Sequence, residues 1–120
     1  MVVEISRKFS LGRKVITPGA ETEIEEMARN RANQLNIKKE EKILLLKTSI
    51  ISNLFDKHSS LEQGDLDDSD YQQNLDATKR DDEGNLQARI FSAYKIQDIK
   101  FWVITEIDES ATTILLPSEY

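Results

Sequence analysis

His58 is the one histidine in the chain, and Asp65, Asp67, Asp68 and Asp70 follow it closely. Imidazole and carboxylates are the side chains of acid–base work and of many metal sites. His58 is therefore the candidate centre of a small hydrolase or metal-dependent enzyme. The competing reading is structural: a histidine near the C-terminal end of a helix, favoured there by the helix dipole and a backbone carbonyl. Asp65-x-Asp67-x-Ser69 has the opening rhythm of a calcium loop, which needs glycine at its sixth position and a bidentate glutamate at its twelfth. Asp70 and Asp76 stand at those two places.

Other chemistries lack parts. Ser10, Ser92 and Ser110 supply hydroxyls, but none sits in a nucleophile elbow, and His58 would have to fill every base role. Gly12 and Gly19 form neither a GxGxxG nor a GK[ST] phosphate loop. With no cysteine there is no disulfide, thiolate zinc site or cysteine nucleophile. Neither a catalytic set, nor a cofactor motif, nor a metal-ligand set is assembled, and no cofactor is expected.

The net charge of −6 is unevenly spread. Residues 1–57 carry 11 Lys or Arg against 8 Asp or Glu, whereas residues 58–120 carry 5 against 14, with the surplus gathered between Glu62 and Glu83. Phosphates would be repelled by that half, which argues against direct nucleic-acid binding through it and leaves a basic protein surface as its natural partner. A solvated face or loop that aids solubility is the plainer account. No apolar run approaches the roughly 20 residues that span a bilayer, and MVVEISRKF lacks a signal-peptide core. A cytoplasmic protein without membrane attachment is expected.

The elements that must position these residues follow from periodicity. Val2 to Ile5 and Phe9 to Thr17 read as strands, the second stopped by Thr17-Pro18-Gly19. Ala20 to Asn36 carries early glutamates and later arginines, the order that suits a helix dipole, with Ile24, Met27, Ala28 and Leu35 as apolar positions. From Lys38 to His58 the series Ile43, Leu46, Ile50, Leu54 is widened by Leu44, Ile51 and Phe55, a broad apolar face with a sheet as its obvious receiver. A third helix from Asp67 to Lys79 has Asp67 as N-cap, Asp70 three residues on, and Tyr71 and Leu75 as anchors.

Arg89 to Ile96, Lys100 to Ile107 and Ala111 to Leu116 are rich in β-branched and aromatic residues, and the short breaks between them force antiparallel neighbours. One α+β domain over residues 1–120 is expected: an antiparallel sheet, made of the N-terminal strand and a three-stranded C-terminal meander, packed against two or three helices. Tyr94 and Trp102 are placed together on the sheet face away from the helices, as a candidate partner surface. Glu106 and Glu119 are placed near Thr105 and Tyr94 at the end of the sheet.

Three phrases, FSLGRKVITPGA at Phe9 to Ala20, HSSLEQGDLDDSDYQQN at His58 to Asn74, and ARIFSAYKIQDIKFWVITEIDESATTILLPSEY at Ala88 to Tyr120, together resemble a family of small uncharacterised plasmid-related bacterial proteins. Its pattern is a strand into TPGA, a helix, a histidine shortly before GDWG, an acid-rich helix start, SAY and WIITE strands, and an ATTxLLPxEY close. Leu61-Glu62-Gln63-Gly64 stands where the family has GDWG, and the segment from Arg29 to Leu54 is longer than in many relatives. The resemblance implies a setting on plasmids and integrative elements, and no reaction.

The expected function is thus a noncatalytic protein-binding module of a mobile element, acting through Tyr94 and Trp102 or through Asp65, Asp67, Asp68 and Asp70. Anti-defence activity, with the acids imitating DNA phosphates, is its sharper form. An enzyme centred on His58 and a homo-oligomeric structural module are the alternatives.

Overall fold

The computed structural model describes residues 8–120, and the strand expected at Val2 to Ile5 lies outside them. The sheet has four strands: β1 (Arg13–Ile16), β2 (Ile90–Ile96), β3 (Ile99–Thr105) and β4 (Ala111–Leu115), in the order β1-β4-β3-β2. Strands β2, β3 and β4 form the expected antiparallel meander, while β1 adds to β4 in parallel, with Arg13 opposite Ala111 and Ile16 opposite Ile114. The β2–β3 turn places Gln97 and Asp98 both at positive φ, the conformation that a tight two-residue hairpin requires.

Strand β1 is shorter than the sequence suggested. The residues before it pair through side chains instead of a ladder: Ser10 N–H donates to Glu109 at 2.8 Å, and the Leu11 carbonyl accepts from the Thr112 hydroxyl at 2.7 Å. Phe9 is buried as a plug against the His58 ring, at a centroid separation of 5.3 Å.

Helix α1 (Pro18–Gln34) starts earlier than expected because Pro18 opens it, a position where the missing N–H costs nothing. Thr17 is its N-cap. A remote carboxylate completes the cap: Glu119 accepts from Gly19 N–H at 3.0 Å and from the Thr17 hydroxyl at 2.6 Å. These hydrogen bonds, with the Thr17 hydroxyl the largest cause, hold the Glu119 carboxyl below its ordinary range. Glu119 therefore sits at the start of α1, away from Tyr94, and the polar cluster placed there by the sequence does not form.

Helix α2 (Glu40–Ser59) returns antiparallel to α1, tied by Arg29 to Glu40 at 3.0 Å and by Lys47 to Glu21 at 3.0 Å. Both helices lie on one side of the sheet. Ala20, Ile24 and Met27 of α1 and Leu54 and Phe55 of α2 meet Tyr94, Phe101, Val103 and Ile114 there. The sheet does not receive the whole apolar face of α2: Leu44 is 59% exposed and Ile51 only half-buried. The helical hairpin outruns the strands, and Ile43 packs with Ala28 and Ala32 in a small cluster of its own.

Helix α3 (Asp68–Ala77) has the expected N-cap, with Asp67 accepting from Asp70 N–H at 2.8 Å. Its buried residues are Asn74 and Ala77, while the expected anchors Tyr71 and Leu75 are half-buried. Asn74 works on the sheet. Its amide donates to the Phe91 carbonyl and accepts from Phe91 N–H at 2.9 Å, and Asp65 N–H donates to the Ala93 carbonyl at 2.8 Å. The outer edge of β2 is closed by these contacts, as exposed edges usually are.

Candidate functional site

His58 leaves the last turn of α2 pointing into the sheet, with 0% of its surface exposed. Nδ1 lies 2.7 Å from Ser92 Oγ on β2 and Nε2 lies 2.8 Å from Thr105 Oγ1 on β3. Thr105 Oγ1 is 2.6 Å from Thr112 Oγ1 on β4, and Thr112 donates onward to the Leu11 carbonyl.

The last link sets the polarity of the whole chain. Because a carbonyl only accepts, the Thr112 oxygen is left to accept from Thr105, and Thr105 in turn accepts from His58 Nε2–H. Nδ1 is bare and accepts from Ser92. Burial pushes the imidazole pKa down to about 3, so it is neutral at ordinary pH. The ring does sit near the C-terminal end of a helix, but side-chain hydroxyls of the strands hold it in place of the backbone carbonyl that the structural reading invoked.

A serine and a histidine 2.7 Å apart have the separation of an activated nucleophile and its base. Here both are sealed from solvent, and Nε2, the far nitrogen, is held by a threonine instead of an orienting carboxylate. Among the described residues no group of three or more His, Cys, Asp or Glu is placed to hold a metal. The candidate aspartates lie outside this chain of hydrogen bonds and are exposed. Asp65 pairs with Lys100 at 2.8 Å, which holds its carboxyl below the usual range, Asp67 caps α3, and Asp68 accepts from Gln63 at 2.9 Å. Only Asp70 extends from the first turn of α3 without such a contact shown for its side chain among the described residues.

Tyr94 and Trp102 do not share a face. The register sets Ala93 opposite Trp102 and Tyr94 opposite Phe101, so alternation sends Tyr94 to the helix side. Tyr94 is 4% exposed and donates to the Glu62 carbonyl at 2.9 Å, with burial pushing its pKa up to about 12. Trp102 remains on the opposite face, half-buried, meeting Phe91 edge-on at 4.9 Å and Tyr120 at 5.6 Å. Arg89 extends this row, with its guanidinium 5.7 Å from the Tyr120 ring centre. None of the helical clusters includes these residues, and Tyr120 is 69% exposed.

Sequence reasoning missed the threonines and Asn74. A signal for the first was present: Ser92 and Thr105 interrupt strand faces that otherwise read Ile90, Tyr94 and Phe101, Val103. A polar residue on an apolar strand face needs a buried partner. Comparison with family models, curated proteins and solved structures returned no match, so the geometry stands on this chain alone.

Proposed function

We propose that this chain is a noncatalytic protein-binding module whose partner seats on the face of the sheet opposite α1 and α2. The observation that carries this is the row Phe91, Trp102, Tyr120 and Arg89, a continuous aromatic strip with a cation at its end. Tryptophan, tyrosine and arginine supply large contact areas and polar handles, and they dominate binding energetics at protein interfaces. Alternation puts Arg13 and Lys95 on the same face, beside Lys100 already paired with Asp65, so the partner brings an apolar centre with an acidic rim. The sealed state of His58 supports the noncatalytic half of the reading. A mobile-element setting rests on the resemblance of the TPGA, SAY, WVITE and ATTILLPSEY phrases.

The test is affinity capture from the native host with the wild-type chain, Tyr120→Ala and Arg89→Glu. A protein retained by the wild type and lost from both variants, together with a change in Trp102 fluorescence when that protein is added back, is the expected result. Retention of the same proteins by all three chains, or recovery of nucleic acid in place of protein, would overturn the assignment.

A further inference from the structure

The two edges of the sheet are treated oppositely. The outer edge of β2 is stopped by Asn74 and by Asp65 N–H. β1 is the other edge, and no strand lies beyond it among the described residues. Its ladder to β4 engages Arg13 N–H, with Thr17 N–H closing the far end, so by alternation the backbone N–H and C=O groups of Lys14 and Ile16 face outward. Beside this edge runs a groove of about 360 Å³ between β1 and α2, lined by Lys14, Ile16, Ile51, Ser52, Phe55 and Asp56. Ile51 belongs to the apolar flank of α2 that the sheet leaves partly uncovered, buried Phe55 forms the floor beside it, and the Lys14 ammonium lies 5.6 Å from the Phe55 ring centre.

From this combination we infer that the β1–α2 groove takes an extended peptide segment, which adds to the sheet as a fifth strand beside β1. An edge strand next to an apolar helix flank has both parts such recognition uses: main-chain hydrogen bonds for affinity and a side-chain floor for specificity. Alternation in the incoming strand turns every second residue toward Ile16, Ile51 and Phe55, which calls for aliphatic side chains there. The others face the side of Arg13. Arg13 is the one charge that β1 turns to that side, so those residues are acidic; Lys14 lies on the groove side, where Asp56 is the opposing charge among the lining residues. The same two cations disfavour a second copy of β1 as occupant, since edge-to-edge pairing would bring like charges together. This inference extends the binding reading to a surface separate from Trp102, and it stands or falls independently of that face.

The test uses the full chain, labelled with nitrogen-15, and an acetylated octapeptide alternating valine and glutamate. The expected result is chemical-shift change centred on the Lys14 and Ile16 amides, and at least tenfold slower hydrogen exchange at both. The matching valine–lysine peptide should bind at least fivefold more weakly, and the valine–glutamate peptide N-methylated along one edge should not bind. Lys14→Pro removes the outward donor while leaving the ladder to β4 intact, and Ser52→Glu places a charge against the aliphatic side chains that enter the groove; each should weaken binding at least tenfold. Ser52 is exposed, so that variant reads out even if Lys14→Pro fails to fold. No shift at Lys14 and Ile16 with millimolar peptide would overturn the inference. So would shifts mapping to the Trp102 face, equal binding of the N-methylated peptide, or amides already protected in the free chain by its own N-terminal segment or a second copy.

Discussion

Lowering the pH from 7.5 to 5 should remove about 2 kcal/mol of stability through His58 alone. In the folded chain the imidazole pKa lies at about 3, because the ring is buried. In the unfolded chain it returns to roughly 6.5. The unfolded state thus binds the extra proton first, and stability falls as pH drops below the unfolded value, levelling only near the folded one. At pH 5 the loss is RT ln(1 + 10^1.5), about 2 kcal/mol, and it requires only that the folded pKa lie well under 5. Because His58 is the one histidine, no other side-chain imidazole contributes to this window. The carboxylates of Asp65, Glu109 and Glu119 are shifted downward, so their losses develop chiefly below pH 4.5. Urea unfolding at stepped pH measures the effect, with His58→Gln as the variant that should abolish the slope between pH 6.5 and 5. Imidazole nitrogen shifts check the same reasoning at equilibrium: Nε2 protonated, Nδ1 bare, both unchanged to pH 4. A flat stability profile, a slope retained in the variant, or a ring titrating near 6.5 would refute it.

Asn74→Leu should cost about 1–3 kcal/mol by leaving the Phe91 backbone groups unpaired, and light scattering should show self-association through the uncovered β2 edge. Gly64→Ala should lower the urea midpoint by the equivalent of about 2–3 kcal/mol, because a Cβ there would lie 2.4 Å from the Tyr94 ring at a positive φ. Arg80→Ala breaks the two 2.8 Å contacts to Glu109 and the hydrogen bond to the Lys8 carbonyl, and should lower the midpoint of thermal unfolding. Leu45→Lys should stay within about 0.5 kcal/mol of the wild type by denaturant unfolding, since Leu45 is 68% exposed, whereas Leu54→Ala should cost about 2–5 kcal/mol.

Local signals carried the fold well. The β-branched strands and two short breaks of the C-terminal third placed the meander, and Asp67 marked the start of α3 by a cap that depends only on residues three apart. Pairings between distant segments were not legible in the same way. Nothing local distinguishes β1 added to β4 from β1 added to β2, and the closure of the β2 edge by Asn74 depends on a helix and strand meeting in space. The sequence does not reveal the face of Tyr94, because both strand faces carry aromatics and period-two alternation alone does not say which is covered. His58 stands out in the sequence as the one histidine, but the hydrogen-bond chain it joins draws on three strands and a loop, and no spacing encodes that assembly.

The parallel pairing of β1 with β4 has a kinetic consequence. Arg13 meets Ala111, so the first described strand waits for residues about a hundred positions downstream, and His58 waits for Ser92 and Thr105, 34 and 47 positions on. Closing so long a loop precedes any gain from the contacts it permits, which slows folding relative to a chain of local pairs. On the ribosome the α1–α2 hairpin can form early, yet its sheet-facing surface stays uncovered until β4 has emerged. During that interval the apolar side chains of Ile24, Leu54 and Phe55 are exposed to other chains, and the aggregation risk of this protein is concentrated in its synthesis.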